Sequence, residues 1–196
     1  MIREATAEDV ENAADALTAA FIDYPFTRHT IAGDDHEVRL REFQRLFLAE
    51  IGLPHGRVWV SDGLEAVAVW SIPDGGAGPA LERLLSRMVK LAGDRAHAHA
   101  SAEAAMEPHR PQEPAWFLGT VGVRPSAQGR GLGRAVIEPG LAAADAEGVP
   151  AFLETSTEAN VKVYEALGFE TTAEYELPDG GPRTWAMLRR PTPLKG

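Results

Sequence analysis

The chain has 196 residues, with 29 Asp and Glu against 19 Lys and Arg, for a formal net charge of −10. An acidic balance of this size argues against a nucleic-acid binder, which would need a basic footprint, and it leaves room for a cationic partner such as an amine. The absence of cysteine excludes disulfides, cysteine-ligated metals and a cysteine nucleophile.

The opening MIREATAEDV lacks the apolar stretch of a signal peptide, and no run of about 18 apolar residues follows. The expectation is a cytoplasmic chain without a membrane span, folded as one domain over 1–196. Ile2 to Ala5 reads as a first strand. Thr6 then caps a helix, with Glu8 and Asp9 in its first turn and Val10, Ala13, Ala14, Leu17 and Phe21 at helical spacing. Pro25 breaks that helix at Asp23-Tyr24-Pro25-Phe26. A second helix runs from about Asp35 to Ile51, and Pro54 and Gly56 end it. Arg57–Val60 and Leu64–Trp70 form a hairpin across Asp62-Gly63. After a glycine-rich loop, Leu81 to about Met106 reads helical, and the proline-punctuated EPHRPQEP connects onward.

The second half carries the chemistry. Ala115 to Val123 is a continuous apolar run, the mark of a central strand. Gly131 to Glu147 reads as a helix that Pro139 is expected to kink near Ala135. Ala151–Glu154 is a strand, and a short helix follows that stops at Gly168. Phe169–Leu177 and Arg183–Arg189 are the last two strands. The order β-α-α-β-β-α-β-α-β-α-β-β implies a mixed sheet with helices on both faces.

The strongest motif is strand, then Gln128-Gly129-Arg130-Gly131-Leu132-Gly133-Arg134, then helix. Glycines let the backbone approach a ligand, and the helix behind them adds its positive end, which together suit a pyrophosphate. A plain glycine-rich turn has the same composition. A Walker loop is excluded because Gly-Lys-Ser/Thr is absent, and the two-helix start and terminal hairpin argue against a dinucleotide fold. The second motif is Asn160-Val-Lys-Val-Tyr164-Glu-Ala-Leu-Gly168-Phe169, whose Asn160 and Tyr164 share one helical face. His97 and His99 are two apart, on different helix faces, and are not read as a metal site; no metal is expected.

Gln-x-x-Gly-x-Gly after a V-x-V strand, followed by Asn-x-x-x-Tyr-Glu-x-Leu-Gly-Phe, resembles the GNAT superfamily of acetyl-CoA-dependent N-acetyltransferases. Further blocks resemble one group within it, the puromycin N-acetyltransferases of actinomycetes: AAF-x-DYP-x-TRHT (Ala19 to Thr30), HRP-x-EPAWFL-x-TVGV (His109 to Val123), QG-x-GLG-x-AV (Gln128 to Val136), VPAFLETS (Val149 to Ser156) and PRTW (Pro182 to Trp185). The chain departs from that group at Ala173 to Gly181, in the 72–106 insert and at Thr157-Glu158.

The resemblance implies an α/β (α+β mixed) GNAT fold, with a mixed sheet of about seven strands splayed between the fourth and fifth. It places the acceptor side mainly in 1–110, and the acetyl-CoA motifs and C-terminal hairpin in 111–196. It implies that Gln128, Gly129, Arg130, Gly131, Leu132, Gly133 and Arg134 hold the CoA pyrophosphate. Val121, Gly122 and Val123 would pair with the pantetheine arm, and Asn160 would contact it. Tyr164 is the implied general acid for the leaving thiolate. Glu154 or Tyr24, acting through a water, is the candidate base. Tyr24, Phe26, His29, Trp116 and Trp185 are candidate acceptor-binding aromatics. The implied reaction is direct acetyl transfer to the amine of puromycin or a close aminonucleoside, an antibiotic inactivation. The alternatives are another small-molecule or protein amine, or a CoA-binding sensor without catalysis. The expected partner is a small-molecule amine, with no nucleic acid and no membrane, in a monomer or homodimer.

Overall fold

A computed structural model describes residues 1–192. Seven strands form one sheet in the order β1-β2-β3-β4-β5-β7-β6. They are β1 (Ile2–Glu4), β2 (Gly56–Ser61), β3 (Ala66–Ser71), β4 (Trp116–Val123), β5 (Ala151–Thr155), β6 (Glu170–Glu176) and β7 (Arg183–Arg189). Every pairing is antiparallel except β4 with β5. The sheet is therefore mixed, and both halves of the chain contribute strands to it.

The side chains of β2 and β3 explain why both faces are covered. Val58, Val60, Val67 and Val69 point to one side and pack against α1 (Val10–Phe21). Trp59, Ala66, Ala68 and Trp70 point to the other and pack against α7 (Leu132–Glu147). This is the period of two that a pleated strand imposes, with apolar residues on both phases because helices cover both faces. The Trp70 indole lies on Gly140 of α7, where any added Cβ would collide with the ring.

The helices depart from the sequence reading in three places. Pro25 does end α1, but it also starts a new short helix, α2 (Pro25–Thr30), at whose first position its fixed φ fits. Helix α3 (His36–Phe47) runs into a π turn at Leu48–Gly52 and a single-turn α4 (Leu53–His55) before β2 begins. The region expected as one helix from Leu81 to Met106 is two, α5 (Gly78–Ala92) and α6 (Ala96–Met106), because Gly93 takes φ +61. Pro139 lies inside α7 without ending it. The last helix, α8 (Glu158–Glu165), is capped by Thr157, whose side chain accepts the Asn160 N–H.

Two features of β4 shape the functional region. Its parallel pairing with β5 is confined to Trp116 with Ala151 and Phe117 with Phe152. Beyond Phe117 the two strands diverge, and the β5-facing edge of β4 carries backbone groups with no strand partner. On the other edge, Trp70 pairs with Leu118 but Val69 pairs with Thr120, so Gly119 is a bulged residue. A side chain at Gly119 would press on the Phe47 ring, its Cβ 3.1 Å from Cζ.

Candidate active site

The cleft between β4 and β5 opens into a cavity of about 530 Å³. Tyr24, Val121, Glu154, Asn160 and Tyr164, all singled out from sequence, line it together. Tyr24 sits at the start of α2, so the break in the first helix is what aims its ring into the cleft. Its hydroxyl accepts the Ser156 backbone N–H at 2.6 Å and lies 3.1 Å from Thr155 Oγ1. Asn160 Nδ2 donates to the same Thr155 Oγ1 at 3.1 Å. Thr155 thus ties Tyr24 to α8.

Tyr164, one turn past Asn160, is buried and meets Phe169 edge to face. Burial pushes its hydroxyl pKa well above the usual tyrosine value, and nearby Tyr24 adds to the shift. The raised pKa keeps the phenol protonated at neutral pH and makes it a weaker acid than a free tyrosine.

Glu154 is set differently. Its side chain is 6% exposed and held bidentately by Arg110, Nε to Oε1 at 2.9 Å and Nη2 to Oε2 at 3.0 Å. The same Arg110 Nη2 donates to Glu103 Oε2 at 3.2 Å. Burial raises the Glu154 pKa, and the guanidinium works against that rise. Sequence reasoning did not single out Arg110 or Glu103: Arg110 lies at the start of the HRP-x-EPAWFL block without a role of its own, and Glu103 lies in the insert, outside the quoted motifs.

The glycine loop precedes α7. Gly129 and Gly131 have φ of +77 and +76, with nothing within 4 Å of where a Cβ would stand. The first hydrogen bond into α7 from outside it is Ala135 N–H to Gly131 O, which leaves the N–H groups of Leu132, Gly133 and Arg134 as the open donors of a helix N-terminus. Open glycine backbone beside unpaired N–H groups fits a pyrophosphate. Gln128 Nε2 donates to Val123 O and ties the loop to the end of β4. Arg130 pairs with Glu65 and Arg134 with Glu138, both on the surface. Gly122 packs against Leu17 and Ala20 of α1, and Val123 stands 3.4 Å from a Cβ at Gly133.

Of the candidate acceptor-binding aromatics, Tyr24 and Phe26 line the cavity. Trp116, His29 and Trp185 are not among the residues that line it. Trp116 is a core residue, stacked on Trp59 at 6.2 Å and donating Nε1–H to Glu147 at 2.7 Å. Its neighbour Phe117 faces the cavity, and alternation along β4 turns Trp116 to the opposite face. The same parity places Thr184 of β7 on the cavity and Trp185 on the other face, against the α7-side core. His29 is buried against the β6–β7 turn, where a Cβ on Gly181 would lie 2.7 Å from its Nε2. The far wall is instead built by Phe43 and Phe47 of α3 with Leu81, Leu85 and Met88 of α5. Apolar periodicity marks these helices as amphipathic but does not distinguish a residue facing a cavity from one facing the core.

Among the described residues, no group of three or more His, Asp and Glu side chains is placed to hold a metal ion. No helix among them is long and apolar enough to cross a membrane.

Residues 83–169 match the acetyltransferase (GNAT) family. The match covers somewhat less than half of the chain, and the splayed seven-stranded sheet is that of the GNAT fold. A Corynebacterium glutamicum structure described as histone acetyltransferase HPA2 and related acetyltransferase superposes with a TM-score of 0.76 at 26% identity, over 100% of this chain and 98% of that one. The fold also matches arylalkylamine N-acetyltransferase 2 from Aedes aegypti, with a TM-score of 0.66 at 13% identity over 98% and 99% of the two chains. Mycothiol acetyltransferase from Streptomyces avermitilis is 46% identical over 54 residues, which are 26% of this chain and 18% of that protein. The alignment thus spans less than a fifth of that curated relative.

Proposed function

We propose that the protein transfers the acetyl group of acetyl-CoA to the primary amine of an aromatic small molecule, and that puromycin or a close aminonucleoside is the acceptor. The observation that carries the transfer chemistry is the convergence of Tyr24, Asn160 and Tyr164 on one cavity beside the open edge of β4. In this reading the glycine loop from Gln128 to Arg134 holds the pyrophosphate on its backbone. The pantetheine arm lies along Val121 to Val123, within reach of Asn160. The acceptor amine enters from the α2–α3 side.

Without cysteine, no acetyl-cysteine intermediate forms, so the amine attacks the thioester carbonyl directly. The attacking nitrogen must be neutral, and an α-amino group with a pKa of about 7.7–8.0 is already partly so at neutral pH. Glu154 or Tyr24, through a water, removes the remaining proton. A β4 backbone N–H stabilises the tetrahedral oxyanion. The C–N bond forms, the C–S bond breaks, and Tyr164 gives its proton to the departing thiolate. Positioning of the two substrates supplies much of the rate.

The acceptor assignment rests on the DYP-x-TRHT and EPAWFL blocks, together with the aromatic and aliphatic lining of the cavity. The test is thiol release from acetyl-CoA by purified protein, with puromycin and phenethylamine compared side by side. Turnover of puromycin at the higher kcat/KM is expected, and a puromycin-sensitive host expressing the gene is expected to grow on the drug. A clear preference for an unrelated amine removes the puromycin assignment. The absence of thiol release with any amine removes the enzyme assignment and favours a CoA-binding sensor.

A further inference from the structure

The cavity holds an uneven charge set. Its lining contains two carboxylates, Glu103 and Glu154, and one guanidinium, Arg110, which bonds to both. His99 is the one other titratable ring near ordinary pH in that wall. Burial lowers its pKa, so it adds no charge at neutral pH, although Glu103 opposes the shift. The far arm of the cavity is built from Phe43, Phe47, Leu81, Leu85 and Met88 and has no charged side chain among the described residues. With Arg110 in place the site carries a net charge of about one negative unit, all of it at the sheet end.

From this geometry we infer that Arg110 is a specificity-determining residue: by occupying both cavity carboxylates it limits the acceptor to a single ammonium group on an uncharged body. The inference rests on the acetyltransferase reading of the cavity. A monoamine enters as an ammonium ion matched by the one net negative charge and gives up its proton before it attacks, while its apolar body replaces water against α3 and α5. A diamine brings a second ammonium, which has either to displace Arg110 from a carboxylate or to sit unpaired in the apolar arm. Either course carries the cost of a poorly paired charge in a partly buried site. The connector from Glu107 to Glu113 thus sets substrate choice from outside the sheet: its arginine decides whether the acidic end of the cavity is free or already satisfied.

The test compares phenethylamine with 1,4-diaminobutane, by acetylation kinetics and by calorimetric binding, in wild type, Arg110→Gln and Arg110→Lys. The wild type is expected to prefer the monoamine. In Arg110→Gln the ratio of diamine to monoamine kcat/KM rises on the order of tenfold, the size of one partly screened charge contact. Arg110→Lys keeps the charge and stays close to the wild-type ratio. A folded Arg110→Gln protein with an unchanged ratio overturns the inference.

Should that variant fail to fold, Glu103→Gln reads the same charge balance from the other side. It leaves the Arg110–Glu154 pair intact and the cavity neutral, so phenethylamine binding weakens severalfold and loses its dependence on added salt. Unchanged binding with unchanged salt dependence overturns the inference. Calorimetry separates the two readings: a wild type that binds the monoamine selectively but acetylates neither amine overturns the enzyme reading and leaves charge selection standing.

Discussion

Tyr164 and Asp9 show how burial sets what one side chain does. Tyr164 is surrounded by the cavity wall and α8, and desolvation holds its proton in place. Tyr164→Phe keeps the ring packing on Phe169 and removes that proton. Its kcat is expected to fall by about 10²–10⁴-fold, the usual contribution of general acid–base catalysis, with acetyl-CoA binding retained by calorimetry. Asp9 works for the fold. Its carboxylate takes two hydrogen bonds from Arg3, at 2.8 and 2.9 Å, and the Thr6 backbone N–H at 2.8 Å. The Arg3 hydrogen bonds hold its pKa well below the usual carboxylate range, with burial opposing and the Thr6 N–H assisting. A depressed folded-state pKa stabilises above the unfolded value of about 3.9, and the gain is lost as pH falls from there through the folded value. Asp9→Asn is therefore expected to cost about 1–2 kcal/mol at neutral pH, the range of a lost cap. Denaturant titrations at pH 7 and near pH 2 should show the gap between variant and wild type closing in acid.

At the level of elements, close approach is bought with glycine. Gly131 lies in the left-handed region at the head of α7, and Gly129 two residues before it does the same. Gly131→Val strains that conformation and places a branched side chain where a ligand phosphate would approach the backbone. Acetyl-CoA KM is expected to rise at least tenfold while the far-UV circular dichroism stays that of the wild type; normal acetyl-CoA binding by a folded variant would place the phosphates elsewhere. Gly140, inside α7, lets the helix sit directly on Trp70 of β3. Gly140→Ala forces the indole or the helix to move and is expected to destabilise by about 1–3 kcal/mol, measured by urea unfolding. The two glycines differ in kind: the first stands in open space, and the second is closed on the core.

For the whole molecule, the splay divides the sheet, and contacts across it hold the divided parts in register. Arg189 at the end of β7 bonds bidentately to Asp145 near the end of α7, at 2.7 and 2.9 Å, with the two side chains 14% and 17% exposed. Arg110 makes the corresponding tie from the connector to β5 at the cavity. Arg189→Met leaves Asp145 with the Thr192 N–H as its remaining hydrogen bond, and is expected to cost about 1.5–3 kcal/mol. For a chain of this size that is a fall of roughly 2–4 °C in Tm per kcal/mol, read by calorimetry. The loss should leave the acetyl-CoA KM close to that of the wild type, because the pair lies on the α7–β7 side, away from the glycine loop and the cavity lining.

The sequence by itself determined the strands, the mixed sheet, the glycine loop before α7 and the shared face of Asn160 and Tyr164, because local patterns carry those features: a period of two, a run of glycines, a spacing of four. It also located Tyr24 and Phe26 in the segment that reaches the cavity. What only the tertiary structure decided is which way a side chain faces once both sides of a strand are covered. Trp116 and Trp185 are apolar on strands whose two faces both bury apolar residues, so composition could not separate the cavity face from the core face, and one step along the chain gives Phe117 and Thr184 instead. The break at Gly93 within the expected long helix was legible only after folding, since an isolated glycine inside a helical pattern is tolerated at a cost of about 1 kcal/mol and does not by itself mark an end. The Glu103–Arg110–Glu154 cluster was invisible for a different reason: its members are separated by up to 51 positions in the numbering and meet because α6 and the connector close over the end of β5. Sequence spacing records neighbours along an element, whereas charge pairing across a cleft is set by how the elements are packed.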